Sequence, residues 1–216
     1  MGTVIKSIGY NQQEIINNII NLYCPTGIDA DVCYSKGVFY KNGVVKEPKL
    51  KFDVIPQTED TIKSDCRELP LDSESINCIM FDPPFLATKG KSLIESKDNN
   101  LINKRFGVYP TEDALWEFYC ASLREFKRVL KENGILIFKC QDKVSSGKQI
   151  IIHNKIINEA EKLGFYCEDL FVLLAKSRLV ADWQLRNQKH SRKFHSYFLI
   201  FRKLKNKKNI MEVQNG

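Results

Sequence analysis

The chain has 216 residues, 43% of them hydrophobic and 27% charged, which is the balance of a folded globular domain and excludes disorder as its main state. Lys and Arg number 33 against 26 Asp and Glu, a formal net charge of +7 that favours a polyanionic partner. No apolar run approaches the roughly 20 residues that cross a bilayer, and MGTVIKSIGYNQQE at the start lacks the apolar stretch of a secretory signal, so no membrane partner and a cytoplasmic location are expected.

The first predicted element is a helix over Asn11 to Tyr23, where Ile15, Ile16, Ile19, Ile20 and Tyr23 recur at helical spacing before Pro25 and Gly27 stop it. Strands follow at Ile28 to Val32, Leu50 to Ile55, Thr61 to Asp65 and Ile76 to Phe81. Between the first two, Tyr34 to Lys49 contains Asn42-Gly43 and Pro48, so a linking helix there is missing or reduced to a turn. The stretch from Leu86 to Pro110 is polar and long for a loop, as a binding lid or insertion would be.

Thr111 then caps a helix whose Leu115, Phe118, Ser122, Phe126 and Val129 share one face, with Asn133 and Gly134 as its expected end. Ile135 to Cys140 has the composition of a buried strand, Gln149 to Leu163 of a helix stopped by Gly164, and Leu170 to Ala175 and Tyr197 to Arg202 of two closing strands. The order predicts an α/β fold with a seven-stranded, mostly parallel sheet and a reversed last strand. The tail after residue 204 is basic and is expected to be disordered.

Seven cysteines, odd in number and without a C-x-x-C, interrupt apolar runs as small buried hydrophobes do, so reduced thiols and no disulfide framework are expected. The three histidines have no metal-type pairing with them, and no metal is expected.

The strongest chemical signal is Asp82-Pro83-Pro84-Phe85, directly after the apolar run Ile76 to Phe81. A carboxylate at the carboxyl end of a central strand lies where open α/β sheets bind ligands. Two prolines remove two amide donors, leaving carbonyl acceptors facing outward near Asp82, while Phe85 offers a ring for stacking. Such a corner accepts hydrogen bonds from an NH2 group and holds a flat ring, as methylation of an exocyclic amine requires.

Following that strand, D-P-P-F resembles the catalytic motif of amino-methylating, S-adenosylmethionine-dependent methyltransferases, in particular the small phage and bacterial DNA adenine methylases. Asp31-Val32-Cys33-Tyr34-Ser35-Lys36-Gly37-Val38-Phe39 is similar to their D-P-x-x-G-x-G-x-F cofactor loop, with Val32 for proline and Ser35 for the first glycine. The resemblance implies a Rossmann-like class I methyltransferase domain over 1–204. Its cofactor would be held through Asp29 or Asp31 at the ammonium, through Cys33, Tyr34, Gly37 and Phe39 of the loop, through Asp53 at the ribose, and through Asp65 with Cys66 at the adenine.

The same resemblance extends to Gln188-Lys189-His190-Ser191-Arg192-Lys193-Phe194-His195-Ser196-Tyr197-Phe198. There Lys189, Arg192 and Lys193 are candidates for phosphates, and Gln188 or His190 for bases, with Lys89, Lys104 and Arg105 on the other polar segment. The implied activity is methyl transfer to adenine N6 in DNA. Methylation of cytosine N4 or of RNA, and a non-catalytic nucleic-acid-binding partner that kept the fold, are the alternatives.

Overall fold

The computed structural model describes residues 4–87, 109–177 and 186–205. Its elements in chain order are β1 (Ile8–Gly9), α1 (Gln12–Tyr23), β2 (Ala30–Asp31), β3 (Leu50–Asp53), β4 (Ile62–Lys63), β5 (Ile76–Phe81), α2 (Glu112–Val129), β6 (Leu130–Cys140), β7 (Lys143–Ser145), β8 (Lys148–Ile150), α3 (Ile152–Lys162), β9 (Phe165–Leu174) and β10 (His195–Lys203). Eight of the strands make one sheet in the order β1-β9-β10-β6-β5-β2-β3-β4. All pairings are parallel except those of β10, which runs against both β6 and β9.

Side-chain alternation along the central strands builds the two layers. Ile79 and Phe81 of β5, Leu136 and Phe138 of β6, and Leu199 and Phe201 of β10 face α2 and α3, meeting Leu115, Leu123, Phe126, Ile156 and Ala160. Cys78, Met80, Ile135, Ile137, Phe198 and Ile200 face the other way, onto Ile15, Ile16 and Ile19 of α1. Phe81 is the centre of the first layer, its ring centroid 4.7 Å from that of Phe138 and 4.8 Å from that of Phe126.

Local signals set the starts of α1 and α2. Asn11 accepts from the amides of Gln13 and Glu14, and Thr111 from that of Ala114, so each side chain satisfies N–H groups that the first helical turn leaves free.

All seven expected strands are present, together with a two-residue edge strand, β1, and a hairpin, β7–β8, that are too short to carry a period. The linker between β2 and β3 is indeed reduced, to a single 3-10 turn at Val38–Tyr40. Several boundaries differ from expectation: β2 is shorter than Ile28 to Val32, β6 begins before Ile135, and β9 begins at Phe165, five residues before Leu170. Helix α2 stops at Val129, because Leu130 already pairs with Ile76 in the ladder, and Asn133 turns the chain with φ 61° before pairing resumes at Ile135. Gln149 and Ile150 belong to the hairpin, and α3 begins at Ile152, whose amide donates to the buried Asp142 carboxylate at 2.8 Å.

Candidate active site

Parallel strands bring the loops after β2, β3, β4 and β5 to one edge of the sheet, and a cavity of about 630 Å3 opens there. Of the expected site residues, Cys33, Tyr34, Phe39, Asp53, Asp65, Cys66, Asp82 and Pro84 line it together. The size suits a cofactor-sized ligand.

Three carboxylates hold the loops that form its walls. Asp31, 1% exposed, turns away from the cavity, accepting from the Cys33 amide at 3.0 Å and from the Tyr40 hydroxyl at 2.8 Å. Burial pushes its carboxyl up to about 7, against the pull of those two hydrogen bonds. Asp53 accepts from the Ser35 amide and from the Ile55 amide, each at 2.8 Å. Ser35 is left-handed, with φ 51°, the conformation that a glycine takes most easily; its tie to Asp53 holds a serine where the resembling loop has glycine.

Gly37 also has a positive φ, 60°, and a Cβ there would run into the Tyr34 ring, so this glycine shapes the loop without lining the cavity. Asp65 grips Arg67, accepting from its Nε at 2.9 and 3.1 Å, from its Nη2 at 2.6 Å and from its amide at 2.9 Å. The guanidinium holds the Asp65 carboxyl below the usual carboxylate range. These contacts engage both oxygens of the carboxylate expected to meet an adenine amine.

Asp29 is brought to neither wall. It lies at the amino end of β2, where its Oδ2 accepts from the amides of Asn77, at 2.6 Å, and Cys78, at 3.3 Å; its place at the opposite edge of the sheet separates it from the cavity.

Asp82 stands at the end of β5, with Oδ2 accepting from Lys139 Nζ at 3.2 Å. Burial pushes its carboxyl up while Lys139 pulls it down. The carbonyls beyond it do not all face outward: Pro84 accepts from the Tyr119 hydroxyl at 2.5 Å, and Phe85 from Lys143 Nζ at 2.7 Å. Lys143 also pairs with Glu112 at 2.7 Å, so the hairpin base clamps the motif loop onto the start of α2.

Lys139, Arg67 and Lys143 also engage the site, and no motif in the sequence marks them. For Lys139 a signal existed, a lysine inside the apolar run Ile135 to Cys140. Trp116 packs against the core, with Lys155 Nζ 4.4 Å from its ring centroid.

Gln188, Lys189, His190, Arg192 and Lys193 are outside the cavity, just before β10. Because β10 is antiparallel, its start lies at the same edge as the carboxyl end of β6. A ring nitrogen of His190 lies 3.1 Å from the Gly147 carbonyl, joining this segment to the β7–β8 hairpin. Lys89, Lys104 and Arg105, most of the 86–110 segment, and the tail beyond Lys205 lie outside the described residues. Among the described residues no helix is long and apolar enough to cross a membrane.

The sheet order, the reversed β10 and the cavity at the carboxyl edge are those of the class I methyltransferase fold. Among solved structures, the candidate methyltransferase in complex with the Haloferax volcanii Trm112 methyltransferase activator is similar over 84% of this chain and 85% of that one, at 13% identity and a TM-score of 0.51. A SAM-dependent methyltransferase from Archaeoglobus fulgidus matches 88% of this chain and 94% of its own, at 14% identity and a TM-score of 0.47. A candidate DNA modification methylase from Thermus thermophilus matches at 19% identity and a TM-score of 0.45; 66% of this chain is covered, and the match spans 53% of that protein's length. No family model and no curated protein sequence matches the chain.

Proposed function

We propose that this chain is a methyltransferase that moves a methyl group from S-adenosylmethionine to the exocyclic N6 amine of adenine in DNA, with 1–204 as its methyltransferase domain. The observation that carries this reading is the placement of Asp82: a carboxylate at the carboxyl end of a central strand, on the cavity edge, followed by two prolines and an aromatic ring. The cavity suits the cofactor in its chemistry. Asp53 has both carboxylate oxygens fixed by backbone amides and keeps acceptor capacity for ribose hydroxyls, while Cys66 and Phe118 offer wall for a flat base. When bound, S-adenosylmethionine supplies an electrophilic methyl group.

An exocyclic amine is a weak nucleophile because its lone pair is delocalised into the ring. Asp82 accepts one N–H and orients the amine, and the Pro83 carbonyl is the second acceptor, since that of Pro84 is engaged by Tyr119. Phe85 stacks on the extruded base. Lys189, Arg192 and Lys193 meet the phosphates, from the edge on which Asp82 lies.

Calorimetry with S-adenosylmethionine, joined to sequencing of DNA from cells that express the protein, tests the proposal. Cofactor binding weakened by Asp53→Ala, with N6-methyladenine in the DNA, is expected. Absence of cofactor binding overturns the enzyme reading in favour of a scaffold, and N4-methylcytosine as the sole product overturns the choice of base.

A further inference from the structure

Lys139 is a long cationic side chain in the middle of a buried sheet. It lies on β6 across from Phe198 of β10, in the ladder beside β5, and its side chain is 12% exposed. A lysine near a surface ordinarily sends its ammonium to water. Here the ammonium stays within the site: Nζ is 3.2 Å from Asp82 Oδ2, 4.9 Å from the ring centroid of Phe39, 5.7 Å from that of Phe198 and 5.8 Å from that of Phe85. Three ring faces and one carboxylate therefore surround the cation, and each favours it electrostatically.

We propose that Lys139 is a positioning residue for methyl transfer, its caged ammonium holding one oxygen of Asp82 so that the other is presented to the target amine. This rests on the reading of Asp82 as the acceptor for that amine.

The physical need is plain. Asp82 accepts an N–H best as a carboxylate, since protonation adds a donor to the group and removes part of its acceptor capacity. Burial works against the charge on Asp82; Asp31 of β2 is a like charge near it once ionised, above about pH 7, and Tyr119 of α2 also feels its field. Lys139 is the cation that opposes them. The ring of Phe85 belongs both to the cage and to the motif, so the same lysine links the carboxylate to the stacking platform.

The test measures kcat against pH, from about pH 5 to about pH 9, on adenine-containing DNA. Wild type, Lys139→Met and Lys139→Arg are compared, and the Asp82 carboxyl is followed in each by carbon NMR, with Asp82→Asn to assign its signal. Methionine keeps an unbranched stem among the rings and removes the charge. In Lys139→Met the acid limb of kcat and the Asp82 titration should both move to higher pH, by about 1 to 3 units, while the KM for the cofactor stays as in wild type. Lys139→Arg should restore both.

An acid limb and a titration unchanged in Lys139→Met overturn the proposal. A wild-type protein that methylates no nucleic acid overturns the function instead; the titration then decides whether Lys139 controls Asp82, and an identical titration in the two proteins refutes that control. Should Lys139→Met fail to fold, Lys139→Gln gives the same reading.

Discussion

From β5 through β6 and β10 to β9 the sheet is built of strands six to eleven residues long, with helices packed on its faces. From β2 to β4 the strands are two to four residues long, and among the described residues the linkers between them carry one 3-10 turn and no α-helix. The thick half is held by apolar burial, with Phe81, Phe126 and Phe138 all fully buried. In the thin half, Asp31, Asp53 and Asp65 tie down their loops by accepting from amides and side chains. The cavity opens over the thin half, and Asp82 with Lys139 closes it from the thick one. The contrast shows how a binding wall can be made from loops when the reacting group stands on a rigid strand.

The largest expected effect breaks the thick half. Phe81→Ala should cost about 3 to 5 kcal/mol in urea unfolding, because its ring meets three others in a closed layer. Ile62→Ala in the thin half, at a side chain 48% exposed, should stay within about 0.5 kcal/mol. Equal losses would erase the distinction between the halves.

Next comes the buried carboxyl of the thin half. Its folded value near 7 lies above that of an unfolded aspartate, about 3.9, so its contribution to stability is complete below the lower value and is lost as pH rises through the upper one. Relative to wild type, Asp31→Asn should therefore gain stability between about pH 4 and about pH 7, by as much as about 4 kcal/mol, and hold that gain above. Unfolding of both proteins across that range checks the sign; a difference that is flat with pH would show that Asp31 titrates as an ordinary aspartate.

At the junction, Asp82→Asn should lower methyl transfer by about a hundredfold or more with cofactor affinity kept, since one preorganised acceptor is lost. Asp82→Ala is a poorer probe than its position just after a strand suggests, because it strands the largely buried Lys139 without its anion. Wild-type turnover in Asp82→Asn would remove the catalytic role from this corner.

The smallest effect concerns the rim. Arg192→Glu combined with Lys193→Glu should weaken binding to DNA and lower the slope of log affinity against log salt by about 2, with turnover at saturating DNA preserved. An unchanged slope would separate this segment from the phosphates.

Periodicity and capping were legible without coordinates. The apolar run Ile76 to Phe81, the caps Asn11 and Thr111 and the reduced linker after Tyr34 all appear where the residue pattern puts them, because each depends on backbone geometry within a few neighbours; the reversed last strand agrees with expectation too, though its direction is set by pairing with β6 and β9. The order of loop, acid, acid and D-P-P-F was equally legible, since parallel strands send successive carboxyl ends to one edge. Tertiary structure alone decided which acceptors remain for a ligand. Asp29 is drawn to the Asn77 and Cys78 amides of β5, the Pro84 carbonyl to Tyr119 on α2, and Asp82 to Lys139, a partner 57 residues away in the chain. Even Asp65, with Arg67 only two residues on, depends on the side-chain conformations that the folded loop permits. A residue type shows what a side chain can bind, whereas which of its lone pairs are already taken depends on strand register and on how neighbouring elements pack.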